Sequence, residues 1–252
     1  PMWRFSAITE EAGTTLGSPS TPAPTRGLQG RLRVPVLQPG GMQAIDHLEA
    51  GGGTHFTGEQ DTLYQNLGPQ GFVDVSAKTG LRQPTLPKLG FGTVMADFNA
   101  DNHMDLFVTN GHIDPRYEES EGYAMTPQLF TFSGDRWKEY SPRNAEDFFA
   151  KARVGRSVAT ADYDGDGDLD ISIVHHNTPV AILRNDSLCG RILNVRLHGT
   201  ASCRSAIGTK VRVSNGKSTW RQELAGGTSY AASHEKVLNF GLGEIPDRKS
   251  TR

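Results

Sequence analysis

Between residues 54 and 185 the apolar residues fall in short runs bordered by Gly, Asp and Asn, with no stretch that sustains a helical period. Thr93-Val94-Met95-Ala96 and Val158-Ala159-Thr160-Ala161 are two such runs. Asp105-Leu106-Phe107-Val108-Thr109 and Leu169-Asp170-Ile171-Ser172-Ile173-Val174 are two more. They are too short for helices and rich in β-branched and aromatic residues, so each predicts a strand.

The runs recur in register. With Asp97 set over Asp162, Gly90 falls on Gly155, Ala96 on Ala161, Asp101 on Asp166, Asp105 on Asp170 and Val108 on Ile173. The flanks match too: Leu63-Tyr64 pairs with Leu129-Phe130, and the segment 71–76 with 136–141. A further copy of Leu63-Tyr64-Gln65-Asn66 recurs as Ile182-Leu183-Arg184-Asn185. Several short strands per repeat suit a four-stranded propeller blade. The chain is therefore read as all-β, with about two and a half blades of a partial propeller over residues 54–187.

After Asn185 the pattern changes. Leu193, Val195 and Leu197 alternate with polar neighbours, as do Val211 and Val213, then Trp220, Gln222 and Leu224. Asn215-Gly216 is a hairpin signal, because this pair accepts the positive φ of a type I′ turn. Val237-Leu238-Asn239-Phe240 closes the series. Residues 188–246 are thus expected to form a small antiparallel β domain with Trp220 and Phe240 in its core, followed by a tail at 247–252. Residues 1–53 show no sustained periodicity and include the Pro/Gly/Ser/Thr-rich stretch 17–30, so they are expected to be low-complexity or poorly ordered.

Composition narrows the classes. With 29 Gly and 14 Pro among 252 residues, turns are frequent and elements short. No run approaches the roughly 20 apolar residues of a membrane helix. The chain opens on Pro1, so its native start is expected to lie elsewhere and a leader would not be visible. From Gly190 onward eleven Lys and Arg stand against four acids. They alternate along predicted strands as solvated faces do, so no nucleic-acid partner is expected. Cys189 and Cys203 fit either one disulfide or two free thiols.

Candidate chemistry lies in two loops. Asp162, Asp164, Asp166 and Asp170 stand at positions 1, 3, 5 and 9, with Gly167 at the turn and the backbone carbonyl of Asp168 at position 7. Calcium takes six to eight hard oxygens, and alternate residues of a tight loop converge on one centre. Without a cation the carboxylates would repel one another. The first loop repeats the skeleton with Asp97, Asn99, Asp101 and Asp105, the carbonyl of His103, and Asn102 in place of Gly167. Neither is an EF-hand, because position 12 of the second loop is Ile173, inside a strand run, where an EF-hand has Glu. Two calcium sites are therefore expected. His175 and His176, adjacent on a strand, face opposite sides and cannot share a metal. No G-x-S-x-G, H-E-x-x-H or P-loop is present. Gly90-Phe91-Gly92 precedes a strand and reads as close backbone packing.

These residues resemble FG-GAP/VCBS repeats, the blades of the integrin α-subunit propeller. Gly90-Phe91-Gly92 followed by the loop from Asp97 to Asp105 is the fullest match; the second repeat has Arg156 and Ser157 where the first has Phe91 and Gly92. The segment from Gly190 to Gly243 looks like the ASPIC/UnbV domain. It does so through Val195 to Gly199, Ala206 to Val211, Gly226-Gly227 with Tyr230, and Phe240 to Gly243. Repeats followed by that domain are similar to the cartilage acidic protein family and its bacterial relatives. The Asp-rich loop expected before Leu63 is replaced by Glu49-Ala50-Gly51-Gly52-Gly53. The resemblance implies an integrin-like propeller in a calcium-binding protein outside the cell or on its surface, a periplasm included. On this reading the chain is a binding module for protein or carbohydrate ligands. The alternative is an enzyme or biosynthetic accessory protein that uses the propeller as scaffold, and no acid, base and nucleophile assemble in the sequence to favour it.

Overall fold

A computed structural model describes residues 5–8, 58–113, 122–133, 135–187, 190–201, 203–214 and 219–243. The strands in chain order are β1 (Phe5–Ile8), β2 (Tyr64–Asn66), β3 (Phe72–Asp74), β4 (Gly90–Ala96), β5 (Asp105–Asn110), β6 (Gln128–Ser133) and β7 (Arg136–Glu139). There follow β8 (Gly155–Ala161), β9 (Asp170–His175), β10 (Ala181–Asn185), β11 (Ile192–Arg196), β12 (Lys210–Ser214), β13 (Thr219–Glu223) and β14 (Val237–Gly241). One short helix, α1 (Arg82–Thr85), precedes β4.

The strands form two four-stranded antiparallel sheets, β4-β5-β6-β7 and β1-β10-β9-β8, and three two-stranded ones, β2-β3, β11-β14 and β12-β13. Both large sheets carry a register shift near the start of their first strand, at Gly90/Thr93 and at Gly155/Ser157. The internal repeat is thus a repeat of structure, down to its irregularity.

Every residue of β5 is buried, which a strand achieves only when both faces are covered. Phe107 turns to one side and joins Val94, Phe98, Leu129, Val158, Ile171, Ile173 and Leu183 between the two sheets. Leu106 and Val108 turn to the other and meet Leu63, Leu81, Phe130, Phe132 and Trp137 against the β2-β3 unit. Each large side chain so buried contributes about 1.5–3 kcal/mol. At the seam the sheets touch backbone to backbone: a Cβ on Gly92 would lie 2.7 Å from Val158 N and 2.8 Å from Arg156 O. That is the close packing expected of the Gly90-Phe91-Gly92 segment.

The departure at Arg156 has a physical account. Its guanidinium lies 4.2 Å above the Phe91 ring and donates to the carbonyls of Gly111 (3.2 Å) and His112 (2.7 Å). The second sheet's arginine therefore covers the first sheet's aromatic.

Phe5–Ile8, inside the segment expected to be poorly ordered, forms β1 and pairs with β10 from Phe5↔Asn185 to Ile8↔Ile182. An open β10 edge presents unpaired N–H and C=O groups, and four residues suffice to satisfy them. So short a strand leaves no periodic trace in a sequence. Residues 9–57, which include the Pro/Gly/Ser/Thr-rich stretch and Glu49 to Gly53, lie outside the described residues.

The C-terminal strands build a third core from Ala206, Trp220, Leu224, Leu238 and Phe240, with Val195, Leu197, Val211, Val213 and Leu242 packed on it. Trp220 and Phe240 are buried as expected. Pairing of Ser214 with Thr219 makes β12 and β13 a hairpin; the Asn215-Gly216 turn lies outside the described residues.

Candidate metal centre

Both aspartate loops join the first two strands of a four-stranded sheet, β4 to β5 and β8 to β9. Their internal hydrogen bonds match position by position. The carboxylate at position 9 accepts from the N–H at position 2: Phe98 N donates to Asp105 Oδ2 (3.2 Å), and Tyr163 N to Asp170 Oδ2 (2.8 Å). The carboxylate at position 1 accepts from the turn: Asn102 N donates to Asp97 Oδ2 (2.9 Å), and Gly167 N to Asp162 Oδ2 (3.1 Å). Position 5 accepts from position 7: His103 N donates to Asp101 Oδ1 (2.8 Å), and Asp168 N to Asp166 Oδ1 (3.2 Å). The turn needs a positive φ, supplied by Asn102 at 73° and Gly167 at 103°.

The loops differ in how far they gather their charges. In the second, ligand oxygens of Asp162, Asp164 and Asp166 all lie within 4.8 Å of one another. Asp170 stands apart in its bonding, since its Oδ1 accepts from Asn185 N at 2.7 Å. The first loop is drier. Asp97, Asn99 and Asp105 are buried and Asp101 is exposed, and its aspartates do not reach the same mutual closeness among the described residues. Asp105 is wholly buried, and its carboxylate is met by the backbone N–H groups of Phe98 and Phe132.

Electrostatics reflect that crowding. Burial, then the charge of Asp101, pushes the Asp97 carboxyl up to about 7. Burial, then Asp101 and Asp97, pushes Asp105 up to about 9. Asp168 rises to about 8 through burial and its contact with Asp166, while Asp166 is held low by the hydrogen bonds it accepts from Asp168. Carboxyls in such surroundings are unfavourable as bare anions, and a divalent cation is the counter-charge an all-oxygen donor set accommodates. The carboxylates of both loops and the Asn99 amide oxygen are donors of the kind calcium takes.

Several participants have no place in the sequence reading. Asn185, fully buried, donates from its side chain to Phe98 O (2.7 Å) in the first loop and to Leu169 O (3.2 Å) in the second. Its position in the recurring Leu63-Tyr64-Gln65-Asn66 element was the available signal. The side chain of Asp168, expected to offer only its carbonyl, hydrogen-bonds to that of Asp166. The C-terminal module also reaches both loops. Asn194 and Asn239 side chains donate to Gly167 O (2.9 and 3.4 Å), Gly243 N donates to Ala100 O (3.2 Å), and Asp162 N donates to Glu235 Oε2 (3.3 Å). Nothing in a linear sequence marks those contacts.

Other candidates sort as follows. His175 ends β9 and is buried, with Nδ1 3.1 Å from Pro179 O, while His176, just past the strand, is exposed. Cys203 is an exposed thiol 3.1 Å from Ser205 Oγ, and Cys189 lies outside the described residues. A small open cleft of about 30 Å³ lies between the first loop and the C-terminal module, lined by Asp97, His103, Met104, Trp220, Arg221 and Phe240 among others. Among the described residues no helix is long and apolar enough to cross a membrane.

Comparison with known proteins bears on the C-terminal segment most directly. Residues 199–251 match the family described as ASPIC and UnbV. The chain is also 26% identical over 234 residues to cartilage acidic protein 1 of Xenopus tropicalis, a match that covers 72% of this chain and 36% of the relative. The chain thus spans about a third of the length of that relative.

Proposed function

We propose that this chain is a calcium-binding module whose two four-stranded sheets are blades of an integrin-like propeller, and that it presents loops to a protein or carbohydrate ligand outside the cell. The observation that carries this reading is the pair of aspartate loops, alike in spacing and internal hydrogen bonding, one of which gathers three carboxylates within 4.8 Å. Two such loops in register, each entering a strand, have a ready purpose as metal braces. Calcium here is structural: the donors belong to the protein, and the metal ties the first strand of each sheet to the second. The distant likeness to cartilage acidic protein 1 supports the extracellular setting only as an inference.

Calorimetric titration with calcium tests the reading, with Asp97→Ala and Asp162→Ala each expected to remove one site. A chelator should also lower the melting temperature, because a ligand held only by the native state stabilises it by mass action. No heat of binding and an unchanged melting curve would refute it.

A further inference from the structure

We infer that the two aspartate loops form the seat on which the C-terminal β module docks, so that calcium occupancy controls how firmly the module is held. This rests on the calcium reading above and adds a consequence to it.

The contacts concentrate on the loops. Gly167 O, at the turn of the second loop, accepts from both Asn194 and Asn239, and Asn239 Nδ2 also donates to Asn194 Oδ1 at 2.8 Å. Position 4 of the first loop, Ala100, accepts from Gly243 N. Gly241 is pressed against position 1 of the first loop so closely that a Cβ there would collide with Asp97 Oδ2. The module therefore reads the loops through backbone groups whose positions depend on the loops being closed.

Closure depends on the counter-charge. Asp162, Asp164 and Asp166 converge, and in the first loop the wholly buried Asp105 carboxylate accepts from Phe98 N. With a cation bound, the carboxylates draw inward and Gly167 O and Ala100 O stay where the module's donors need them. Without it, the converged carboxylates of the second loop repel one another and the seat loses its shape. Binding and docking then share one free energy, so each strengthens the other by the same factor.

The test is hydrogen exchange on the whole chain, in calcium and in chelator, with calorimetry run beside it. Amides of 190–201 and 237–243 are expected to exchange several-fold faster in chelator. The double variant Asn194→Ala/Asn239→Ala leaves every metal donor in place. It is expected to lose that calcium-dependent protection and to bind calcium about fivefold or more weakly. If calcium binds but exchange in 190–243 is the same with and without it, the docking inference falls and the calcium reading stands. If the double variant keeps full protection and affinity, the inference falls likewise. If no calcium binds at all, both fall.

Discussion

At Asn185 four hydrogen bonds meet on one wholly buried residue: its N–H donates to Asp170, its amide donates to Phe98 O and Leu169 O, and its Oδ1 accepts from Ser187 N. Its amide addresses both loops from within the sheets. Asn185→Leu would leave two carbonyls unpaired in a dry setting. The expected cost is about 2 kcal/mol or more, read as a lower urea midpoint with unchanged slope. The loops themselves should fill in order. The second offers four side-chain carboxylates and already gathers three, whereas the first offers three and an amide, so the second should bind calcium more tightly. Calorimetry on Asp97→Ala and Asp162→Ala separates them; retention of the weaker site after Asp97→Ala would reverse the assignment.

Among the elements, the strands of both large sheets were legible because their period is local: alternation and β-branching mark β4, β5, β8 and β9 without knowledge of what they face. The repeat of the two loop turns was legible for the same reason, since the residues that build each turn lie within nine positions. β1 was not, because its only reason to be a strand is the open edge of β10, far away in sequence. Docking of β14 and its neighbours on the loops was invisible too, since Gly241 and Asn239 signal nothing until a partner surface is known. The β9–β10 connection yields a prediction of its own. His175, at the end of β9, packs 6.2 Å from the Phe148 ring with Arg153 nearby, and burial holds its imidazole below the usual range. The folded state thus binds fewer protons there than the unfolded one. Stability from this group is complete above about 6.5 and is lost as pH falls from that value toward the lowered folded pKa. The difference in melting temperature between the protein and His175→Gln, followed from pH 8 to 5, should shift against the native histidine in acid. A pH-independent difference would show that the ring titrates alike in both states.

For the molecule as a whole, the question is whether the C-terminal module is a body in its own right or the completion of the second sheet. That sheet already has four strands, the last supplied by β1, so the module is not needed to finish it. Its core is drawn entirely from its own residues, with Trp220 and Phe240 at the centre and Leu224 and Leu238 beside them. Yet the module is tied to the sheets at several points. His234 Nδ1 lies 3.1 Å from Thr160 N, Glu235 N donates to Thr160 O at 2.9 Å, and the half-exposed Tyr230 meets Phe91 edge-on at 5.2 Å. About sixty residues is near the lower limit for independent folding, and two two-stranded sheets around one tryptophan make a small core. A self-contained core predicts that residues 188–246 fold alone, with dispersed amide resonances. Loss of the ties to Phe91, Thr160 and the loops predicts a melting temperature lower than the module shows in the whole chain. A collapsed spectrum would mean that the sheets, and not Trp220 and Phe240, decide whether this segment folds.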